Sequence, residues 1–68
     1  MKRWNSSRGQ NVTNKRIDEF LLDIEAVCRR HDMSLSHEDS HGAFIVVPWA
    51  DSYMKWLYDA HDEVDVKK

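Results

Sequence analysis

The sequence predicts a small α+β domain in α-β-β-α order, in which two helices pack on one face of a β-hairpin. In Met33–Glu38, Met, Leu and His alternate with Ser and Glu, which is typical of a strand with one buried face. Ala43–Val47 is rich in β-branched residues and is followed by Pro48, which cannot donate to a ladder. The residues between these strands favour a turn, and Gly42 accepts a positive φ at little cost. Apolar residues at helical spacing precede and follow the pair.

The second predicted strand has two apolar faces. Ala43, Ile45 and Val47 share one face, and Phe44 and Val46 share the other. Two helices can cover only one face of a hairpin, and a hairpin without further strands is marginal. We therefore predict self-association through the sheet, as a dimer or larger homo-oligomer, with Phe44 and Val46 at the interface. The alternative is that these two side chains are simply partly exposed.

The first predicted helix begins after Thr13 or Asn14, either of which can cap it, and ends near His31. Its apolar residues fall at i, i+3, i+4, i+7, i+10 and i+11, which makes one stripe that we predict to be core. The stripe comprises Ile17, Phe20, Leu21, Ile24, Val27 and Cys28. Leu22 lies off the stripe and is predicted to add to the subunit interface.

The second predicted helix is capped by Asp51 or Ser52 and runs to about His61. Its inner stripe comprises Tyr53, Trp56, Leu57 and Ala60. The predicted organisation is a flexible basic arm over residues 1–12, a single α-β-β-α domain over 13–62 and a charged tail over 63–68.

Charge is unevenly distributed along the 68 residues. Residues 1–16 carry five bases and no acid, whereas residues 17–68 carry five bases and twelve acids. A basic arm on an acidic body could contact an anion, or it could be a solvated tail. The single cysteine, Cys28, rules out an internal disulfide and fits a reducing cytoplasm. No apolar run reaches the roughly 20 residues of a transmembrane helix, so no membrane partner is predicted.

The turn of the central hairpin carries the densest set of reactive side chains. His37, Glu38, Asp39 and His41 combine imidazole and carboxylate groups, which suit a divalent metal or general acid–base work. Further metal ligands are not evident, although two more histidines, His31 and His61, could approach. No nucleophile elbow, Gly-rich phosphate loop or paired-carboxylate motif accompanies these residues. We therefore predict no metal, no cofactor and no catalysis.

A binding site is the remaining interpretation. Trp49 and Tyr53 follow the second strand, and aromatic faces beside polar groups can hold a flat ligand such as a nucleobase. The alternative is that these aromatic residues fill the core of a small domain. The predicted ligand-binding residues are His37, Glu38, Asp39, His41, Trp49 and Tyr53, with Arg8, Lys15 and Arg16 from the basic residues 1–16.

A recurrent motif covers Leu35 to Asp39, Gly42 to Val46, Pro48, Trp56-Leu57 and Asp59 to Asp62. In these residues the chain resembles small bacteriophage accessory proteins of the SHEDxHGAFIV type. The resemblance covers roughly residues 17–62 and leaves the basic arm outside, and position 49 is Trp where Tyr or another aromatic residue is expected. It implies an accessory product that interferes with a pathway of the bacterial host, in the host cytoplasm. It implies no catalytic residues.

The function we expect is therefore non-enzymatic counter-defence by binding. The preferred hypothesis is that the protein sequesters a small anionic, nucleotide-like immune signal, such as a cyclic nucleotide or an ADP-ribose derivative. One alternative is an inhibitor that binds directly to a host defence protein through the acidic helical surface. Another is an auxiliary nucleic-acid-binding protein that uses the basic arm.

Overall fold

The computed structural model describes residues 1–38, 40 and 42–64, and it shows a small α+β fold with two β-hairpins and two helices. The elements in chain order are β1 (Lys2–Asn5), β2 (Gln10–Thr13), α1 (Lys15–His31), β3 (Met33–Glu38), β4 (Ala43–Pro48) and α2 (Asp51–Tyr58). The class is as predicted, but the order is not, because a further hairpin precedes α1. Of the predicted tail, residues 65–68 lie outside the described residues.

The first hairpin occupies the segment that the sequence predicts as a flexible arm. Strands β1 and β2 pair antiparallel from Lys2 opposite Thr13 to Asn5 opposite Gln10. The turn closes because the Gly9 N–H donates to the Asn5 carbonyl at 2.9 Å, with Gly9 at φ 64°. A polar strand pair of this kind has no apolar periodicity, which is why the sequence pattern does not reveal it.

Arg3 fastens this hairpin to both helices. Its guanidinium is buried, and Nη1 donates to the backbone carbonyls of Tyr58 and Ala60, each at 2.9 Å. Nη2 donates to Oδ1 of Asp18 in α1, also at 2.9 Å. The hydrogen bond from Arg3, followed by that from the Met1 amino group, lowers the pKa of Asp18. One of the five cations in residues 1–16 is therefore a structural anchor.

Asp62 joins the C-terminal segment to the first hairpin and to the start of α1. It is buried and forms a parallel bridge with Asn5, and its N–H donates to the Trp4 carbonyl at 2.7 Å. Its Oδ2 accepts from the side-chain amides of Asn5 at 3.2 Å and Asn14 at 3.0 Å, and its Oδ1 accepts from the Val64 N–H at 2.9 Å. Asn14 is also the N-cap of α1, which confirms one of the two predicted caps.

The predicted apolar stripe of α1 is only partly core. Ile17, Leu21 and Cys28 are buried, whereas Phe20 is 61% exposed and Val27 45% exposed. Each helical residue turns about 100°, so the buried residues and the exposed ones lie on adjacent sectors of the helix. Leu22 lies on the opposite side of α1 from Phe20 and is also exposed.

The second hairpin agrees in position with the prediction, and the helix that follows is shorter than expected. Strands β3 and β4 pair antiparallel from Met33 opposite Pro48 to Glu38 opposite Ala43. The N-cap of α2 is Ala50, so neither predicted cap, Asp51 or Ser52, serves that role. The Ala50 N–H instead donates to Oγ of the buried Ser34 at 3.1 Å, and this bond holds the start of α2 against β3.

Candidate functional site: an open apolar face

A groove of about 430 Å³ lies between α1 and the second hairpin, and the surface lining it is apolar. Ile24, Val27 and Cys28 line it from α1, and Met33, Leu35 and Val46 line it from the hairpin. Opposite residues of an antiparallel pair share a face, so Met33, Leu35 and His37 share one with Val46 and Phe44. The groove therefore runs along one face of the sheet.

Strand β4 is left uncovered on this face. Phe44 is 78% exposed, Val46 65% and Met33 50%. Among the described residues, both helices come within 8 Å of β3 between Cα atoms and neither comes that close to β4. On the opposite face of the same strand, Ile45 is 38% exposed and Val47 is half-buried, so the exposure of Phe44 and Val46 depends on the face they occupy as well as on their strand.

The groove and the uncovered strand together form one surface, which we call the apolar face. The face comprises Ile24, Val27, Met33, Leu35, Phe44 and Val46. Phe20 lies one turn before Ile24 but lines a separate pocket with Arg16, Ile17 and Val64. The predicted interface residues Phe44 and Val46 belong to it, whereas Leu22 points away from it.

Trp49, a predicted ligand-binding residue, is already covered by another side chain. The Arg29 guanidinium lies over its ring, with Cζ 4.6 Å from the centroid, which is the geometry of a cation–π contact. Arg29 also donates to Oε2 of Glu25 from Nε at 3.1 Å and from Nη2 at 2.9 Å. The Tyr58 hydroxyl donates to Oε1 of the same Glu25 at 2.6 Å. Trp49 therefore belongs to a side-chain network that joins α1 to α2.

The other three members of that network, Glu25, Arg29 and Tyr58, are not among the predicted site residues. Glu25 and Arg29 stand at i and i+4 in α1, a spacing that signals an ion pair. No local signal places Tyr58 beside them, because it comes from α2. The hydrogen bonds from Tyr58 and then Arg29 lower the pKa of Glu25.

We expect the network to show in a tyrosine titration. Partial burial, then the hydrogen bond to Glu25, raises the pKa of Tyr58 to about 12 from 10.0. Above pH 10 the unfolded chain releases a proton that the folded protein keeps, so this contribution to stability is present below about pH 10 and is lost as pH rises towards 12. Tyrosinate absorbance should show a step near pH 12 that Tyr58→Phe removes and Tyr53→Phe retains. An absorbance step near pH 12 that persists in Tyr58→Phe would contradict the assignment of the raised pKa to Tyr58.

The predicted hairpin cluster is described only in part. The His37 ring lies beside Trp56 of α2, with centroids 6.4 Å apart and planes tilted by 37°. Oε1 of Glu38 accepts from the Ser40 N–H at 2.8 Å, which orders the start of the turn. Asp39 and His41 lie outside the described residues. Among the residues that the structure describes, no three His, Cys, Asp or Glu side chains lie close enough together to hold a metal ion.

The remaining predicted ligand contacts lie on other elements. Arg8 is in the turn of the first hairpin, and its N–H donates to Oδ1 of Asn5 at 2.8 Å. Lys15 and Arg16 stand in the first turn of α1, and all three side chains are exposed. Tyr53 is half-buried in the first turn of α2. The structure thus distributes these residues over three elements, none of which is the hairpin that carries His37.

These features define a small α+β protein whose most distinctive surface is an open apolar face. No protein family, no curated protein and no solved structure matches the chain. Within the described ranges, neither helix has the length and apolar character needed to cross a bilayer.

Proposed function

We propose that the protein is a non-enzymatic binding protein that self-associates through its second hairpin and acts by docking on another protein. The observation that carries this proposal is the apolar face, on which Phe44 and Val46 are more than half exposed. Monomeric proteins rarely expose large contiguous apolar patches, and such patches mark contact sites. The resemblance to phage accessory proteins supplies the setting, in which the partner is a defence protein of a bacterial host and the site of action is the host cytoplasm.

The lining of the groove favours a protein partner over a small anionic ligand. Small-molecule sites combine apolar walls with a few polar groups that fix orientation. Asp23, His31 and Ser34 also line this groove, but the surface that they present to it is apolar. Trp49, one of the residues predicted to hold the ligand, is also engaged elsewhere, because the Arg29 guanidinium covers its ring. An apolar segment of another protein suits this surface better.

Capture of a nucleotide-like immune signal is the second candidate. The observation that favours it is the pair formed by His37 and Trp56, whose exposed rings lie near the turn of the second hairpin. A base could stack on Trp56, and the imidazole could contact a phosphate or a ribose. Cyclic nucleotides and ADP-ribose derivatives are the ligands to test.

A paired comparison separates the two candidates. Val27→Glu places a charge in the groove, whereas Leu22→Glu places the same charge at an exposed site on the opposite side of α1. We expect tagged wild-type protein and Leu22→Glu to retain the same protein from bacterial lysate and Val27→Glu to lose it. Equal retention by both variants would contradict docking at the groove.

Thermal shift against cyclic dinucleotides and ADP-ribose derivatives tests the second candidate. A ligand at 100 times its Kd stabilises the folded state by about 2.7 kcal/mol, which a melting curve resolves easily. We expect no stabilisation with any of these ligands. A shift that disappears in Trp56→Ala would instead establish nucleotide capture.

A further inference from the structure

The outer edge of β4 is a strand edge without the usual protection. Its inner edge pairs with β3, and among the described residues no helix approaches its outer edge. Edge strands normally avoid pairing with other chains by means of charged side chains, bulges or proline. The segment Ala43–Val47 has no charged residue, and Pro48 stands only at its end. Five consecutive residues are therefore free to add a strand.

The chain by itself buries little apolar surface. Within the described part of the chain, the buried apolar side chains are Ile17, Leu21, Cys28 and Met54, whereas Met33, Phe44 and Val46 are at least half exposed. A second copy of the chain presents the same uncharged strand edge and the same apolar side chains, so pairing two copies covers both edges at once.

We infer that β4 pairs antiparallel with β4 of a second copy, so that two hairpins form one four-stranded sheet. This inference rests on the self-association in the proposed function and specifies its geometry. A two-fold axis perpendicular to the sheet keeps the apolar faces of both copies on the same side. Side chains alternate between the two faces along a strand, so even-numbered residues of one copy must then lie opposite even-numbered residues of the other. The residue numbers of each opposing pair therefore sum to an even value. A sum of 90, with Ile45 opposite Ile45, pairs the whole of Ala43–Val47 with itself. A sum of 92 would bring Pro48 into the ladder, and a sum of 88 would bring in the turn.

In this register Phe44 of each copy lies opposite Val46 of the other, on the apolar face. Aromatic and β-branched residues are a favourable cross-strand pair, and the two-fold axis forms this pair twice. Phe44 and Val46 of both copies thus form one apolar surface between the two grooves. One α1 helix lies on each side of this surface. The groove described above thereby becomes half of a larger cleft, in which the protein partner of the proposed function would lie.

Sedimentation analysis of matched variants tests the register. Wild-type protein should have about twice the mass of the 8.1 kDa chain. The double variant that combines Phe44→Lys and Val46→Lys places like charges opposite each other. We expect the dissociation constant of its dimer to rise by about tenfold or more. Phe44→Lys with Val46→Glu places opposite charges at the same two positions, and we expect the dimer to persist and to weaken as salt is added. Leu22→Lys is the control for an added charge and should remain dimeric.

The outcomes separate the register from the proposed function. Both positions are exposed in a single chain, so circular dichroism should show the same fold in all variants. A monomeric wild-type protein would overturn both the inference and the self-association. A dimer that the two double variants affect equally would overturn the register alone, and self-association through another surface would stand.

Discussion

Arg3→Ala is expected to lower the free energy of unfolding by about 3 kcal/mol, a large fraction of the stability of a 68-residue domain. The guanidinium makes three hydrogen bonds, each 2.9 Å long, to the carbonyls of Tyr58 and Ala60 and to the Asp18 carboxylate. Truncation leaves these acceptors without their donor in a partly buried setting, which costs more than the net worth of the bonds. It also removes the contacts of the Arg3 side chain with both helices, which leaves the Met1 amino group to hold the hairpin to Asp18 of α1.

Urea unfolding measures this effect, with Lys2→Ala as the matched control. Lys2 is the preceding residue of β1 and is exposed, and surface substitutions change stability by no more than about 0.5 kcal/mol. Arg3→Lys should recover only part of the loss, because an ammonium group cannot reproduce the planar fork that reaches three acceptors. An Arg3→Ala protein as stable as the Lys2→Ala protein would show that Arg3 does not hold the hairpin.

Asp62→Asn is expected to cost about 2 kcal/mol although it changes a single atom of the side chain. The Asp62 carboxylate accepts from the amides of Asn5 and Asn14 and from the Val64 N–H. An amide has one acceptor oxygen and one NH₂ group, so it would direct a donor at another donor. Asn5 and Asp62 are both fully buried, so water cannot replace the lost bond.

Thermal unfolding measures this second effect, with Asp59→Asn as the control at an exposed position nearby. For a domain of this size, a loss of about 2 kcal/mol lowers Tm by roughly 8–16 °C. The control should melt within a few degrees of the wild-type protein. Equal melting temperatures for the two variants would mean that the three-donor site at Asp62 contributes nothing to the fold.

The second hairpin and both helices could be predicted from the sequence because their signals are local. Alternation in Met33–Glu38 and the apolar spacing in α1 each repeat within a few residues, and burial on one side reinforces them. The first hairpin could not be predicted in this way. Its polar strands are held by Arg3 and Asp62, whose partners lie up to 57 residues away in the chain.

The candidate site was predictable only where it depends on strand alternation. The sequence singled out Phe44 and Val46, and the structure leaves both exposed. It also singled out Trp49 as a ligand platform, but this ring is covered by a guanidinium from α1. The groove beside them arises where α1 passes β3, a juxtaposition that neither element encodes alone.

By itself, the sequence determined the class of the fold, the place of four of its six described elements and the uneven charge along the chain. Those features depend on which residues repeat at short spacing, and periodicity is a local property. Only the tertiary structure decided which cations and aromatic rings remain available for binding and which strand stays open. Buried polar groups must find partners wherever the chain brings them, as Arg3 does with both helices. The Trp49 ring likewise contacts Arg29 of α1. No local sequence pattern records either contact.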